Sequence, residues 1–133
     1  MSSRTGEISD DQAVILAVDD SPSNLALIKG IFERNYDVRL AKCGKMALNA
    51  LDRIKPDIVL LDIEMPGMSG FELISGIRGR LELADVPIVL ITAHDSEEYI
   101  EMAKARGIAE YIVKPFRVEA LRTIVNDLLH PDG

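Results

Sequence analysis

Five side chains stand where short apolar runs stop. Asp19 and Asp20 follow "AVILAV" (13–18), and Asp62 follows "DIVLL" (57–61). Thr92 ends "PIVLIT" (87–92), and Lys114 ends "AEYIVK" (109–114). Three carboxylates brought into one crevice repel, so either some of them protonate or a cation joins them. With only oxygen ligands on offer, that cation would be a hard divalent one, magnesium above all. A lysine ammonium and a threonine hydroxyl on the far side would hold a group bearing several negative oxygens. A carboxylate can itself attack phosphorus and form an aspartyl-phosphate.

These residues converge only if the elements carrying them do. These four runs are strand-like, rich in Val and Ile, whereas a fifth segment, "YDVRLA" (36–41), alternates as a half-covered edge strand does. Helical spacing fills the intervals. Leu25, Ile28, Ile31 and Phe32 share a face in 22–34, and Ala47, Leu48, Leu51 and Ile54 share one in 44–54. Phe71, Ile74, Ile77 and Leu81 repeat in 70–81, Tyr99, Ile100 and Ala103 in 96–106, and Leu121, Ile124, Val125 and Leu128 in 117–129. Asn35 and Gly107 stand where helices should stop, Asp95 with Glu98 resembles a capping box, and Ser69 is placed to cap the third helix.

Strict β-α alternation implies an α/β fold with a doubly wound five-stranded parallel sheet and five helices covering both faces. Right-handed crossovers, an edge strand at 36–41 and apolar interior strands give the flavodoxin-like order 2-1-3-4-5. Ligands bind such sheets outside the carboxyl ends of the strands, where the winding reverses, here between strands 1 and 3. All five polar groups lie on that edge. Asp62 is central among them and is the candidate nucleophile, with Asp19 and Asp20 holding the metal. Each group alone has an ordinary explanation. Asp19-Asp20 before Ser21-Pro22 would cap a helix, Asp62 would make an Asx turn, and Thr92 would be a β-branched strand residue. Lys114 would be an exposed lysine, with Pro115 in a helix's first turn. The ordered series acid, acid, hydroxyl, amine along one sheet edge favours a site.

Composition bounds the alternatives. The 133 residues, 47% apolar and 28% charged, suit one globular domain. The sequence predicts a flexible tail over 1–12, a domain over 13–130 and no output domain after it. A net charge of −7 without a basic stripe argues against direct nucleic-acid binding. No apolar run reaches the roughly 18 residues of a membrane helix, and the polar start is not a secretory signal, so no membrane partner is expected. Cys43 is the single cysteine and is read as a small residue at a helix start. It fits a reducing compartment, and the expected location is cytoplasmic. His94 and His130 share no zinc-ligand spacing with it.

The segments "ILAVDDSPSN", "PDIVLLDIEMPGMSGFEL", "PIVLITAH" and "EYIVKPF" resemble the hallmark segments of two-component response regulator receiver domains, over about residues 13–129. The resemblance implies that Asp62 is the phosphoacceptor and that Asp20 binds Mg2+ directly, or Mn2+ in its place. It implies that Asp19 acts through metal-bound water and that the backbone carbonyl of Glu64 is a further ligand. Thr92 would be the switch hydroxyl, Ala93 the small residue beside it, Lys114 the phosphoryl-pairing lysine and Tyr111 the switch aromatic. The phosphoryl donor would be a sensor histidine kinase or histidine phosphotransfer protein. An effector, an output domain or a second copy of the chain would dock on the face of helix 4, strand 5 and helix 5, and the chain would catalyse only its own phosphotransfer and dephosphorylation. Ser69 departs from the Asp common at its position, and Glu64 and His94 occupy positions that tune phosphoryl lifetime.

Two other functions fit the same residues less well. An aspartyl-phosphate phosphohydrolase would carry a second Asp two residues after the nucleophile, where this chain has Glu64. A nucleotide- or flavin-binding module would need a phosphate cradle, but the first β-α turn, "VDDSPSN", has no glycine and presents acids.

Overall fold

A computed structural model of the chain describes residues 12–62, 70–93 and 97–131. Five strands, β1 (Val14–Val18), β2 (Asp37–Ala41), β3 (Ile58–Asp62), β4 (Ile88–Thr92) and β5 (Glu110–Val113), alternate with five helices. These are α1 (Pro22–Phe32), α2 (Gly44–Ala50), α3 (Gly70–Arg78), α4 (Glu97–Ala105) and α5 (Val118–Leu129). All strands pair in parallel in the order β2-β1-β3-β4-β5, as the alternation predicts.

Side-chain alternation along the central strands builds two cores. On one face Leu16, Val18, Val59 and Leu61 pack with Ala47 of α2 and Leu73, Ile74 and Ile77 of α3. On the other Ile15, Ala17, Ile58 and Leu60 pack with Leu25 and Ile28 of α1 and Leu121 and Val125 of α5. Every residue of β3 and β4 is buried, and strands covered on both faces are apolar along their length, so Asp62 and Thr92, at the carboxyl ends, stand out as the polar members. Each such large side chain contributes about 1.5–3 kcal/mol of burial free energy. Edge strand β2 leaves Arg39 and Leu40 exposed.

Strand register aims the site. The Asp57 carboxylate just before β3 accepts a hydrogen bond from the Val14 N–H (2.7 Å), pinning the starts of β1 and β3 together. Ile15 then pairs with Ile58 and Val18 with Leu61, so Asp19 and Asp62 leave the sheet side by side.

The helix boundaries depart from the apolar spacing in places. α2 stops at Ala50 rather than at 54, and the chain continues in turns that still bury Leu51. α3 ends at Arg78. A 3-10 turn at Leu81–Leu83 follows, whose tighter winding buries Leu83 and leaves Leu81 91% exposed, so Leu81 is not part of the buried face. α1 ends at Phe32 with Glu33 as its cap, so Asn35 lies beyond the helix end. Gly107 does stop α4. At φ +92° it donates its N–H to the Lys104 carbonyl (2.9 Å) while Ile108 donates to the Ala103 carbonyl (3.4 Å), a Schellman motif. Ser69, Asp95, Glu64 and His94 lie outside the described residues.

Candidate metal and phosphoryl site

Ser21 caps α1. It is extended (φ −93°, ψ 114°), its Oγ accepts from the Asn24 N–H (3.3 Å), and Pro22 supplies the first helical residue. The cap holds the turn after β1, and that turn folds around Asp19. The Asp19 N–H donates to the Ala41 carbonyl of β2 (3.1 Å). Its carboxylate, only 2% exposed, accepts from the Ser21 N–H at Oδ1 (2.9 Å) and from the Asn24 side-chain amide at Oδ2 (3.2 Å). Asp19 is therefore not the helix cap; two residues before Ser21, it forms an Asx-type turn with the Ser21 N–H. Asp20, next along, is exposed.

Asp62 closes β3 at 6% exposure. Lys114, immediately after β5, places Nζ 3.1 Å from Asp62 Oδ2 and 3.5 Å from Asp19 Oδ2. Burial on its own would push the Lys114 ammonium down. The hydrogen bond and charge of Asp62, joined by those of Asp19, outweigh burial and hold it above its ordinary value. Thr92, fully buried, ends β4, and its carbonyl accepts from the Lys114 N–H (2.7 Å). The Lys114–Pro115 peptide bond is cis, and α5 begins only at Val118, so Pro115 is not in the first turn of a helix.

Carboxylate oxygens of Asp19, Asp20 and Asp62 lie within 4.8 Å of one another. Three carboxylates and one ammonium leave a formal charge of −2, the complement of one divalent cation. The donor set is all oxygen, one acid is exposed to solvent and two are buried, which suits an ion that keeps several waters. The sequence-predicted Asp19, Asp20, Asp62 and Lys114 therefore come together, with Thr92 at the adjoining strand end.

Ala93 follows Thr92 and is exposed. Tyr111 belongs to a separate cluster with Leu90 and Ala103, flanked by Phe71 and Ile108, and Lys104 Nζ stands 6.0 Å from its ring centroid. A cleft of about 930 Å³ lies at the other end of the strands, between α1 and α5, lined by Phe32, Tyr36, Arg122 and Asn126 among others, and it gathers none of these acids. Sequence reading did not single out Asn24. The signal was present: three residues after a helix-capping serine, a side chain can turn back toward the helix start, as in a capping box.

The response regulator receiver domain family matches this chain over residues 15–126. A probable cyclic di-GMP phosphodiesterase of Vibrio cholerae is 35% identical over 115 residues, covering 86% of this chain and 26% of that protein. The chain thus spans about a quarter of that relative's length. Chemotaxis protein CheY4 of Vibrio cholerae superposes with a TM-score of 0.85 at 32% identity, over 89% of this chain and 99% of that one. The receiver domain of sensor histidine kinase PA1611 from Pseudomonas aeruginosa, solved with a magnesium ion coordinated in its active site cleft, gives a TM-score of 0.81. Its identity is 28%, over 89% of this chain and 98% of that one.

Proposed function

This chain belongs to the response regulator receiver domain family, and from that membership we propose that it is a phosphorylation switch whose acceptor is Asp62. The observation that carries the reading is the Lys114 ammonium, 3.1 Å from an Asp62 carboxylate that two further acids crowd to within 4.8 Å. Asp19, Asp20 and Asp62 would hold Mg2+, or Mn2+ in its place, and the Glu64 carbonyl is assigned as a further ligand. The PA1611 receiver's magnesium supports this choice of ion. Bound magnesium supplies neutralisation of the charge that gathers on the phosphoryl oxygens.

A carboxylate oxygen of Asp62 attacks the phosphorus of a phosphohistidine on a partner protein. The new O–P bond forms as the P–N bond breaks, and the imidazole nitrogen keeps the electron pair. That PA1611 is a sensor histidine kinase supports a kinase or histidine phosphotransfer protein as donor. Lys114 then pairs with a phosphoryl oxygen, and Thr92 turns its hydroxyl toward the group beside Ala93. Tyr111 moves into the space this vacates, and the face of α4, β5 and α5 changes shape for an effector or a second copy of the chain. The test is Asp62→Asn treated with a small acyl phosphate and Mg2+ and read by intact-protein mass. The parent gains one phosphoryl group and the variant gains none; equal labelling of both would overturn the assignment.

A further inference from the structure

The Asp19 carboxylate is almost wholly buried, and each of its oxygens has a fixed donor that is not a charge. The Ser21 N–H holds Oδ1 at 2.9 Å and the Asn24 amide holds Oδ2 at 3.2 Å. A carboxylate only accepts hydrogen bonds, so the amide nitrogen of Asn24, and not its oxygen, faces it. Asn24 is itself fixed at both ends, its backbone N–H held by the Ser21 cap and its side chain by Asp19.

The third donor differs in kind. Lys114 Nζ lies 3.5 Å from Asp19 and closer, at 3.1 Å, to Asp62. In the proposed reaction Lys114 turns to the phosphoryl oxygens, whereas Asn24 rides on α1 and keeps its contact throughout. Being neutral, it fixes the rotation of the Asp19 carboxylate without competing with a cation for its charge. Oδ2 accepts from both Asn24 and Lys114, while Oδ1, held by the Ser21 N–H, keeps acceptor capacity toward the ion or its waters.

We propose that Asn24 is a positioning residue that orients Asp19 through its side-chain amide and so sets the divalent-cation affinity of the site. The inference rests on the metal-site reading above. Hydrogen-bond partners of metal-holding groups change metal affinity by about 10–100-fold when removed. Here the lower end applies, because Ser21 still holds the other oxygen.

The experiment titrates the isotope-labelled full chain with MgCl2 and follows amide resonances near the site, with thermal melts in chelator alongside. Asn24→Ala is expected to weaken Mg2+ binding about tenfold while the chelator melting temperature moves by less than about 4 °C. Asn24→Gln, which keeps the amide, should recover part of the loss. On an Asp19→Asn background, Asn24→Ala should change nothing further, since its effect runs through Asp19. If the alanine variant does not fold, Asn24→Ser, too short to reach Asp19, carries the same expectation. A parent that binds Mg2+ and an alanine variant that binds it equally well would overturn this inference alone, as would an undiminished loss on the Asp19→Asn background. A parent that neither binds Mg2+ nor labels at Asp62 would overturn the functional reading and this inference with it.

Discussion

Replacing Lys114 with methionine tests the electrostatics of the site directly. Methionine keeps the apolar stem and removes the charge. At an effective dielectric of about 20, unit charges at 3.1 Å and 3.5 Å attract by roughly 5 kcal/mol each. Desolvating the three groups offsets several kcal/mol of that sum, and the Lys114 side chain keeps 24% exposure, which screens it further. Without the ammonium, Asp19 and Asp62 face each other with no counter-charge between them. The net loss is expected at about 3 kcal/mol, the lower end for breaking a buried ion pair. For a chain of 133 residues that lowers the melting temperature by about 10 °C in chelator at neutral pH. Magnesium and the ammonium neutralise the same carboxylates, so added Mg2+ should raise the melting temperature of Lys114→Met by more than it raises that of the parent. Calorimetric melts of both proteins, with chelator and with MgCl2, read both quantities. Melting temperatures in chelator that agree within about 2 °C, or a magnesium shift no larger in the variant, would refute the reasoning.

Three further expectations follow from individual contacts. The Lys114 pKa is raised in the folded chain, so its contribution is complete below the unfolded value of about 10.4 and disappears as pH rises through the folded value. In chelator the parent should therefore lose stability toward Lys114→Met above about pH 10.4, and urea midpoints whose difference is the same at neutral and strongly alkaline pH would contradict this. Gly107→Ala puts a Cβ into the left-handed region at φ +92° and 3.2 Å from Arg78 Nε, whose guanidinium is held by the Leu83 and Gly107 carbonyls. About 2 kcal/mol of destabilisation is expected in urea unfolding, against a refuting value under about 0.5. Ser21→Ala removes the α1 cap and should destabilise by about 1 kcal/mol, with no change in the urea midpoint counting against the capping role.

The fold was legible because burial on both faces of a parallel sheet leaves a strong mark. The runs "IVLL" (58–61) and "IVLI" (88–91) are apolar because helices cover both sides, whereas β2, at an edge, mixes Asp37 and Arg39 with its apolar residues. Helix ends were less legible because apolar spacing continues through turns. Leu51 is buried just past α2, so its periodicity looks helical, whereas Leu81 sits in a 3-10 turn after Gly79 that rotates it into solvent. At the site, Asp19, Asp62, Thr92 and Lys114 could be found because strand order alone brings strand ends together. Asn24 could not be found that way. Its contact depends on where α1 is capped and how its first turn faces Asp19, a geometry set by one serine hydroxyl.

Under the proposed function, the same geometry would let a charge added at Asp62 act at a distance. Among the described residues β5 is an edge strand, bonded only to β4. Beyond its end, Lys114 reaches past β4 to Asp62 of β3 and to Asp19 just after β1, residues 52 and 95 positions away in sequence. This ion pair joins the sheet's edge to its centre without passing through the ladder. A new anionic group on Asp62 would redirect the ammonium, and the force would fall first on the edge strand and on the loop leading into α5. β4 is held on both sides and fully buried, so it cannot yield as readily. Tyr111 lies in β5, packed against Leu90 and Ala103, so a displacement of the edge alters its contacts before it alters the core. In a chain that labels at Asp62, amide exchange should therefore change in β5 while β1 and β3 stay protected. Equal changes across all three strands would mean that the signal spreads by general loosening rather than through Lys114.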